Sequence, residues 1–97
     1  MMLVFRREAL EDLDSISVYV ERMADRSVAD GYDRRIRAKI ATLVDFPNRG
    51  TDRPEFGDGV RSINFEGRYL ILYRVADDRV LVTRVVAGAQ DLSDLTP

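Results

Sequence analysis

The 97-residue chain contains no cysteine, no histidine and no tryptophan. Without cysteine it can form neither a disulfide nor a thiolate metal site. Without histidine it lacks the commonest general base and the commonest nitrogen ligand for transition metals, so we expect neither a metal ion nor a cofactor. No apolar run approaches the ~20 residues that span a bilayer, and the N-terminus MMLVFRREAL lacks a signal-peptide pattern. We therefore expect a cytoplasmic protein.

The chain also lacks a strong excess of charge. Fifteen Lys and Arg residues oppose seventeen Asp and Glu residues, which gives a net charge of −2. Bulk charge therefore does not indicate a nucleic-acid-binding domain, because such domains are usually basic. Hydrophobic residues make up 45%, enough for a packed core in a single domain over residues 1–97. Fourteen of the fifteen cations are arginine, which is better suited than lysine to bidentate contacts.

The spacing of apolar residues predicts the order strand, helix, helix, strand, strand, strand. The first helix is predicted from Glu8, and the second runs from an N-cap at Ser27 to a stop at Phe46-Pro47. A loop over 48–59 follows, and a polar tail covers 88–97. The predicted strands are 2–5, 60–65, 68–75 and 79–86. The fold class is α+β, with an N-terminal helical hairpin packed on one face of a small, mostly antiparallel sheet.

The last two strands carry arginines among their apolar residues. A turn centred on Asp77-Asp78 would set Val75 opposite Val80, and side chains then alternate between the two faces of the sheet. We place under the helices the face that comprises Tyr69, Ile71, Tyr73, Val75, Val80, Val82, Arg84 and Val86. The opposite face comprises Arg68, Leu70, Leu72, Arg74, Leu81, Thr83, Val85 and Ala87.

Two helices are expected to cover one face of so small a sheet and to leave the other exposed. An exposed apolar strip is typical of a partner-binding site, and arginines at its rim would pair with carboxylates. The candidate binding residues are Arg68, Leu70, Leu72, Arg74, Leu81 and Val85. Two alternatives stay open: arginines at strand ends can simply reach water, and a register shift of one residue would exchange the two faces.

Four segments, in this order, resemble the ParE toxins of the ParE/RelE superfamily. They are EALEDLDSI (8–16), LVDFPNRG (43–50), GVRSINFEGRYLILYRV (59–75) and RVVAGAQDL (84–92). The resemblance implies a RelE/ParE-like β-α-α-β-β-β fold and the toxin half of a bacterial type II toxin–antitoxin pair. It also implies a cognate ParD-like antitoxin, a ribbon–helix–helix DNA-binding dimer that wraps the toxin with its C-terminal segment.

The resemblance leaves two modes of action, because ParE members poison DNA gyrase whereas RelE members cut mRNA on the ribosome. Where RelE-like chains carry an arginine in the strand this chain has Leu70, and where many relatives carry a histidine before a glycine it has Ala87. Leucine and alanine can neither transfer protons nor neutralise a phosphate. We therefore expect a gyrase-directed toxin that is not an enzyme. An mRNA interferase and a degenerate, non-toxic partner of the antitoxin are the alternatives.

Two charged clusters and two tyrosines are further candidates, each with a structural alternative that we favour. The acidic cluster, which could bind a cation, fits a solvated first helical turn and comprises Glu8, Glu11, Asp12 and Asp14. The basic cluster, which could meet an acidic partner, fits a solvated helix face and comprises Arg34, Arg35, Arg37 and Lys39, with Asp30 and Asp33 at pairing distance. Tyr69 and Tyr73 could stack on bases, but we expect them in the core.

Overall fold

The computed structural model describes residues 1–88, and its main elements follow the predicted order. The helices are α1 (Arg7–Met23) and α2 (Arg26–Ala41), and the strands are β1 (Met2–Phe5), β2 (Thr51–Asp52), β3 (Arg61–Phe65), β4 (Tyr69–Ala76) and β5 (Arg79–Ala87). Short 3-10 helices span Thr42–Val44 and Pro54–Phe56. The predicted tail begins at Gly88, and its remaining residues, 89–97, lie outside the described residues. Among residues 1–88, no helix is long and apolar enough to cross a membrane.

The five strands form one mixed sheet in the order β1-β5-β4-β3-β2. β1 pairs parallel to β5, and the three other pairings are antiparallel. The two helices intervene between β1 and the other strands, as a parallel connection requires. The α+β class is therefore confirmed, with one strand that the sequence did not indicate, because the predicted loop over 48–59 contains β2.

The core lies between the helical hairpin and one face of the sheet. Apolar residues at helical spacing meet the alternating residues of β3, β4 and β5 there. The buried cluster comprises Ala9, Leu13, Ile16, Ile36, Ile40, Leu43, Ile63, Phe65, Ile71, Tyr73, Val80, Val82 and Val85. Burying each large aliphatic side chain contributes ~1.5–3 kcal/mol relative to exposing it, so this contact fixes which side of the sheet the helices occupy.

The N-terminus of α2 differs from the prediction by two residues. Asp25 is the N-cap, and its carboxylate accepts a hydrogen bond from the Val28 backbone N–H at 2.9 Å. The prediction of Ser27 as N-cap is wrong, because Asp25 stands one residue before the helix and meets the amide of the third helical residue. Serine and aspartate are both good N-caps, so the sequence pattern alone did not separate them.

Candidate partner-binding site

The side of the sheet away from the helices, here called the far face, carries the candidate residues. Its members, read from the strand register and the packing, include Val60, Leu70, Leu72, Arg74, Leu81, Arg84 and Val86, together with Ser62, Asn64, Ala76 and Arg79. The helix face carries the main core. Tyr69 and Tyr73 belong to that side, as expected: Tyr73 is fully buried and Tyr69 packs against the core.

The register between β4 and β5 changes at one position. Up to Tyr73 and Val82 the pairing follows the prediction, but Leu72 lies opposite Arg84. Thr83 is thus an extra residue in β5, a β-bulge, and its hydroxyl donates a hydrogen bond to the Leu72 carbonyl at 3.2 Å. Beyond the bulge, each residue of β5 faces the side opposite to the one that strict alternation predicts.

Three assignments change as a result. Val85 lies opposite Ile71 on the helix face and is only 3% exposed, so its prediction as part of an exposed strip is wrong. Val86, which was predicted under the helices, packs beside Leu70 on the far face. Arg84 also moves to the far face, where it lines a groove.

Leu70 and Leu72 lie on the far face as predicted, but the expectation that they are exposed is wrong, because each is 3% exposed. They form a second apolar cluster with Val60 and the half-buried Val86. Val60 reaches this position because the β2–β3 ladder continues past its strand ends: the Arg53 N–H donates to the Val60 carbonyl at 2.8 Å. Val60, the first residue of the predicted strand 60–65, therefore helps to cover the two leucines.

A groove of about 320 Å³ lies on the far face beside the start of α1. Its floor is mostly apolar, and charged side chains stand around it. The lining residues are Arg6, Glu8, Phe56, Val60, Leu72, Arg74, Thr83 and Arg84. Three guanidinium groups thus face one carboxylate, and this arrangement favours an anionic ligand over a cationic one.

Arg74 has an unmatched polar atom at this groove. Its Nε is buried and has no hydrogen-bond partner among residues 1–88. Its guanidinium packs against Gly57, where an added Cβ would lie 2.8 Å from one terminal nitrogen, so a larger residue at this position would displace the end of the Arg74 side chain. Gly57 also has a φ of 126°, which disfavours other residues independently. A buried donor without a partner destabilises the protein by ~1–3 kcal/mol, and a hydrogen bond to a bound acceptor would offset this loss.

Arg84, in contrast, already has a partner. The Asp12 carboxylate accepts hydrogen bonds from Arg84 Nε at 2.7 Å and from its terminal nitrogen at 3.0 Å. Hydrogen bonding to Asp12 raises the pKa of the Arg84 guanidinium above its ordinary value. Asp12 therefore belongs to a structural contact between α1 and β5, and the acidic cluster predicted around it is not a unit: residues 1–88 contain no grouping of acidic residues suited to a metal ion.

The remaining two candidates lie apart from each other. Leu81 is half-buried and pairs with Arg74, so it borders the same part of the far face. Arg68 is exposed in the turn after β3, and its carbonyl accepts from the Gly88 N–H at 3.2 Å, at the opposite end of β4 from the groove. The structure thus brings together Leu72, Arg74 and Leu81 and separates Arg68 from them.

Two cations of the basic face of α2 pair with carboxylates, and one of these pairs, Arg37 with Asp33, is the helical pairing that the structural alternative predicted. Arg37 donates to Asp33 at 2.9 Å, four residues earlier. Arg35 makes two hydrogen bonds to Glu66, at 2.9 Å and 3.2 Å, in the turn between β3 and β4. Glu66 has a φ of 52° and so occupies the left-handed region, and the hydrogen bonds from Arg35 lower the pKa of its carboxyl.

Tyr73 fastens the segment that follows α2. Its hydroxyl donates to the Pro47 carbonyl at 2.8 Å and accepts from the Gly50 N–H at 2.9 Å. Burial raises the pKa of the Tyr73 phenol, as it does for Tyr32 and Tyr69. A phenol with both hydrogen-bonding roles occupied inside the core is a structural group, so stacking on bases is not its role.

Sequence reasoning missed Arg6, Phe56 and Val60 as lining residues of the groove, considered Glu8 only as part of an acidic cluster, and gave no role to Gly57, which packs against Arg74. Arg6 and Glu8 flank the turn from β1 into α1, and only the parallel placement of β1 beside β5 brings that turn to the far face. Gly57 stood in a segment without a recognisable motif. The run PEFGDG does contain a proline and two glycines, which is a signal for a defined turn that could have prompted closer attention.

The structure is that of a small α+β protein with a groove on the sheet face opposite its helices. The family model for the ParE toxin of the type II toxin–antitoxin system parDE matches residues 3–92. The chain therefore belongs to the ParE toxin family.

Comparison with solved structures agrees with this assignment. A chain of the chromosomal ParDE toxin–antitoxin system from P. aeruginosa is 25% identical, with a TM-score of 0.80, over 90% of this chain and 95% of that one. A conserved hypothetical protein from Helicobacter pylori is 16% identical over 92% of this chain and 96% of that one, with a TM-score of only 0.47. No curated protein matches the chain.

Proposed function

We propose that this chain is a cytoplasmic toxin that acts by binding and poisoning DNA gyrase, and that a cognate ParD-like antitoxin neutralises it by covering the far face. Membership of the ParE family supports the toxin role. The partner would contact the half-buried and exposed groups of the far face, chiefly Arg74, Leu81 and Val86, with Leu70 and Leu72 as the floor beneath them. Arg68 would lie at the outer limit of this contact.

The observation that carries the binding mode is the chemistry of the groove. Its ionisable groups are Arg6, Glu8, Arg74 and Arg84. Cleavage of RNA through its 2′-hydroxyl needs a base for that hydroxyl and an acid for the leaving oxygen. Glu8 could serve as a base, but arginine keeps its proton in proteins and is a poor general acid. The groove can therefore bind an anion without supplying a proton-transfer pair.

Purified protein tests this function in two parallel assays. We expect it to inhibit supercoiling by DNA gyrase and to accumulate cleaved DNA, and we expect no transcript cleavage in a ribosome-programmed translation extract. Ribosome-dependent cuts together with unaffected gyrase would replace the proposal with the mRNA interferase alternative. A reaction without added toxin controls for the activity of the gyrase preparation.

The proposed neutralisation by an antitoxin is tested with the product of the neighbouring gene. We expect an adjacent short reading frame with a ribbon–helix–helix pattern, whose product co-purifies with this chain and abolishes its effect on gyrase. Expression of the chain alone should arrest growth. Harmless accumulation of folded protein would instead identify the degenerate, non-toxic partner.

A further inference from the structure

We propose that Arg74 and the groove beside it receive a single carboxylate side chain of the antitoxin segment, next to an apolar side chain that lies on the groove floor. This inference rests on the proposed function and adds the chemistry of the contact. It predicts an Asp or Glu adjacent to an apolar residue in that segment.

The two strand arginines of the groove differ in their hydrogen-bond partners. Arg84 is held by two hydrogen bonds to Asp12, whereas the buried Nε of Arg74 has no partner among residues 1–88. Arg74 lines the groove, and no hydrogen bond of its Nε with residues 1–88 has to be broken, so its guanidinium can turn towards a carboxylate in the groove and bind it through Nε and a terminal nitrogen.

The shape and polarity of the groove restrict what accompanies the carboxylate. Its volume of about 320 Å³ holds a side chain or two, and Val60, Phe56 and Leu72 line the floor. Phe56 is 42% exposed, so it presents aromatic surface that an apolar side chain can cover. An anionic group flanked by an apolar one matches the guanidinium groups and the apolar side chains of the groove better than an anionic group alone.

The surrounding charge favours a protein segment over a nucleic acid. Glu8 lines the groove, and Glu11 lies exposed about one turn further along the same helix. A run of phosphates would meet these carboxylates as well as the arginines, and the whole chain carries a net charge of −2. One localised negative charge can use Arg74 without that repulsion.

The decisive measurement is a double-mutant cycle with the product of the adjacent antitoxin gene. Each Asp and Glu of its C-terminal segment is changed to Asn or Gln and titrated against the full-length toxin and against Arg74→Gln. We expect Arg74→Gln to weaken binding about tenfold or more, as loss of one partner of a desolvated charge pair does. Replacing one particular antitoxin carboxylate should lower the affinity for the native toxin by a similar factor and leave the affinity for Arg74→Gln almost unchanged.

Arg79→Gln is the matched control for loss of one positive charge. Arg79 is exposed at the start of β5, opposite Ala76, and is not among the residues that line the groove. We expect it to change affinity less than about threefold at physiological salt. Should Arg74→Gln fold poorly, Arg74→Lys keeps the charge and aliphatic stem but loses the planar fork, and we expect an intermediate loss from it.

Equal effects of Arg74→Gln and Arg79→Gln, or the absence of a coupled carboxylate, would overturn the inference while leaving the antitoxin pairing intact. Arg74-dependent binding of a labelled single-stranded RNA oligonucleotide would overturn it in favour of a nucleic-acid groove. If the neighbouring gene product does not bind the toxin at all, the inference fails together with the proposed function.

Discussion

Asp12 of α1 meets Val85 of β5 at the point where the sheet loses a strand. β1 ends at Phe5, opposite Val82, so among residues 1–88 no strand lies beside that edge of β5 from there on. The Asp12 carboxylate takes that place and accepts from the Val85 N–H at 2.9 Å, while the same group binds Arg84. A charged acceptor on a backbone donor is among the stronger hydrogen bonds, so this contact fixes α1 against the sheet.

Asp12→Ala is therefore expected to lower the free energy of unfolding by about 2–3 kcal/mol, because a half-buried amide and a guanidinium both lose their acceptor. Urea denaturation measures this loss. Arg84→Gln should cost less than about 1 kcal/mol, since the Arg84 side chain is 50% exposed and solvent screens the pair. Asp14→Ala is the control, because Asp14 is an exposed acidic residue on the same helix. Equal losses for Asp12→Ala and Asp14→Ala would contradict the role assigned to Asp12.

Most of the architecture was predictable because it depends on local periodicity. Helical spacing from Ala9 to Val20 and alternation from Tyr69 to Val75 each place one apolar side of the element against the core, and many residues enforce each pattern together. The class, the helical hairpin, and the register up to Tyr73 opposite Val82 followed from those patterns. β2 did not, because two exposed residues have no period.

The faces of β5 were not predictable beyond the bulge. One extra residue at Thr83 reverses every later side chain, and threonine is common in regular strands, so nothing in its identity reveals a bulge. The apolar run Val85-Val86 fits either face equally well. The orientation is decided by tertiary contacts that the local pattern does not contain, chiefly Asp12 at the strand edge.

Val85→Asp and Val86→Asp test this orientation as a matched pair of adjacent substitutions. Val85 is 3% exposed in the main core, whereas Val86 is half-buried on the far face. We expect Val85→Asp to unfold the protein, because it buries an unpaired carboxylate. Val86→Asp should remain folded, as judged by circular dichroism and thermal unfolding, but bind the antitoxin more weakly. A folded Val85→Asp variant would show that the strict alternation was right.

Leu70→Asp carries the corresponding prediction for the far-face cluster. Since Leu70 is 3% exposed and packs with Val60, the substitution should destabilise the isolated toxin by several kcal/mol instead of affecting binding alone. Leu81→Asp, at a half-buried position, is the comparison and should be tolerated better. Urea denaturation of both variants, followed by antitoxin binding of whichever folds, separates a stability effect from a contact effect. Equal stability of the two variants would show that Leu70 is not part of a packed cluster.

Tyr73→Phe removes the hydroxyl that joins Pro47 and Gly50. The ring stays in the core, but the Gly50 N–H and the Pro47 carbonyl lose a partner, so we expect a loss of about 1–3 kcal/mol in the free energy of unfolding. Hydrogen exchange at the Gly50 amide should also accelerate. Tyr19→Phe is the control, because Tyr19 is 51% exposed on α1. Unchanged exchange at Gly50 in Tyr73→Phe would exclude the proposed fastening of this segment.

Alkaline pH should unfold the protein through its buried phenols. Burial raises the pKa of Tyr32, Tyr69 and Tyr73 above the ordinary value of 10.0, so the folded state holds these protons more tightly than the unfolded state. Their contribution to stability is complete below about pH 10, and is lost as the pH rises from there through the folded-state pKa values. Urea midpoints measured across this range should fall as tyrosinate absorbance appears. The midpoint of Tyr73→Phe should fall less steeply than that of the native protein. Tyrosinate formation that runs to completion with no change in the midpoint would mean that these phenols titrate alike in the folded and unfolded chains.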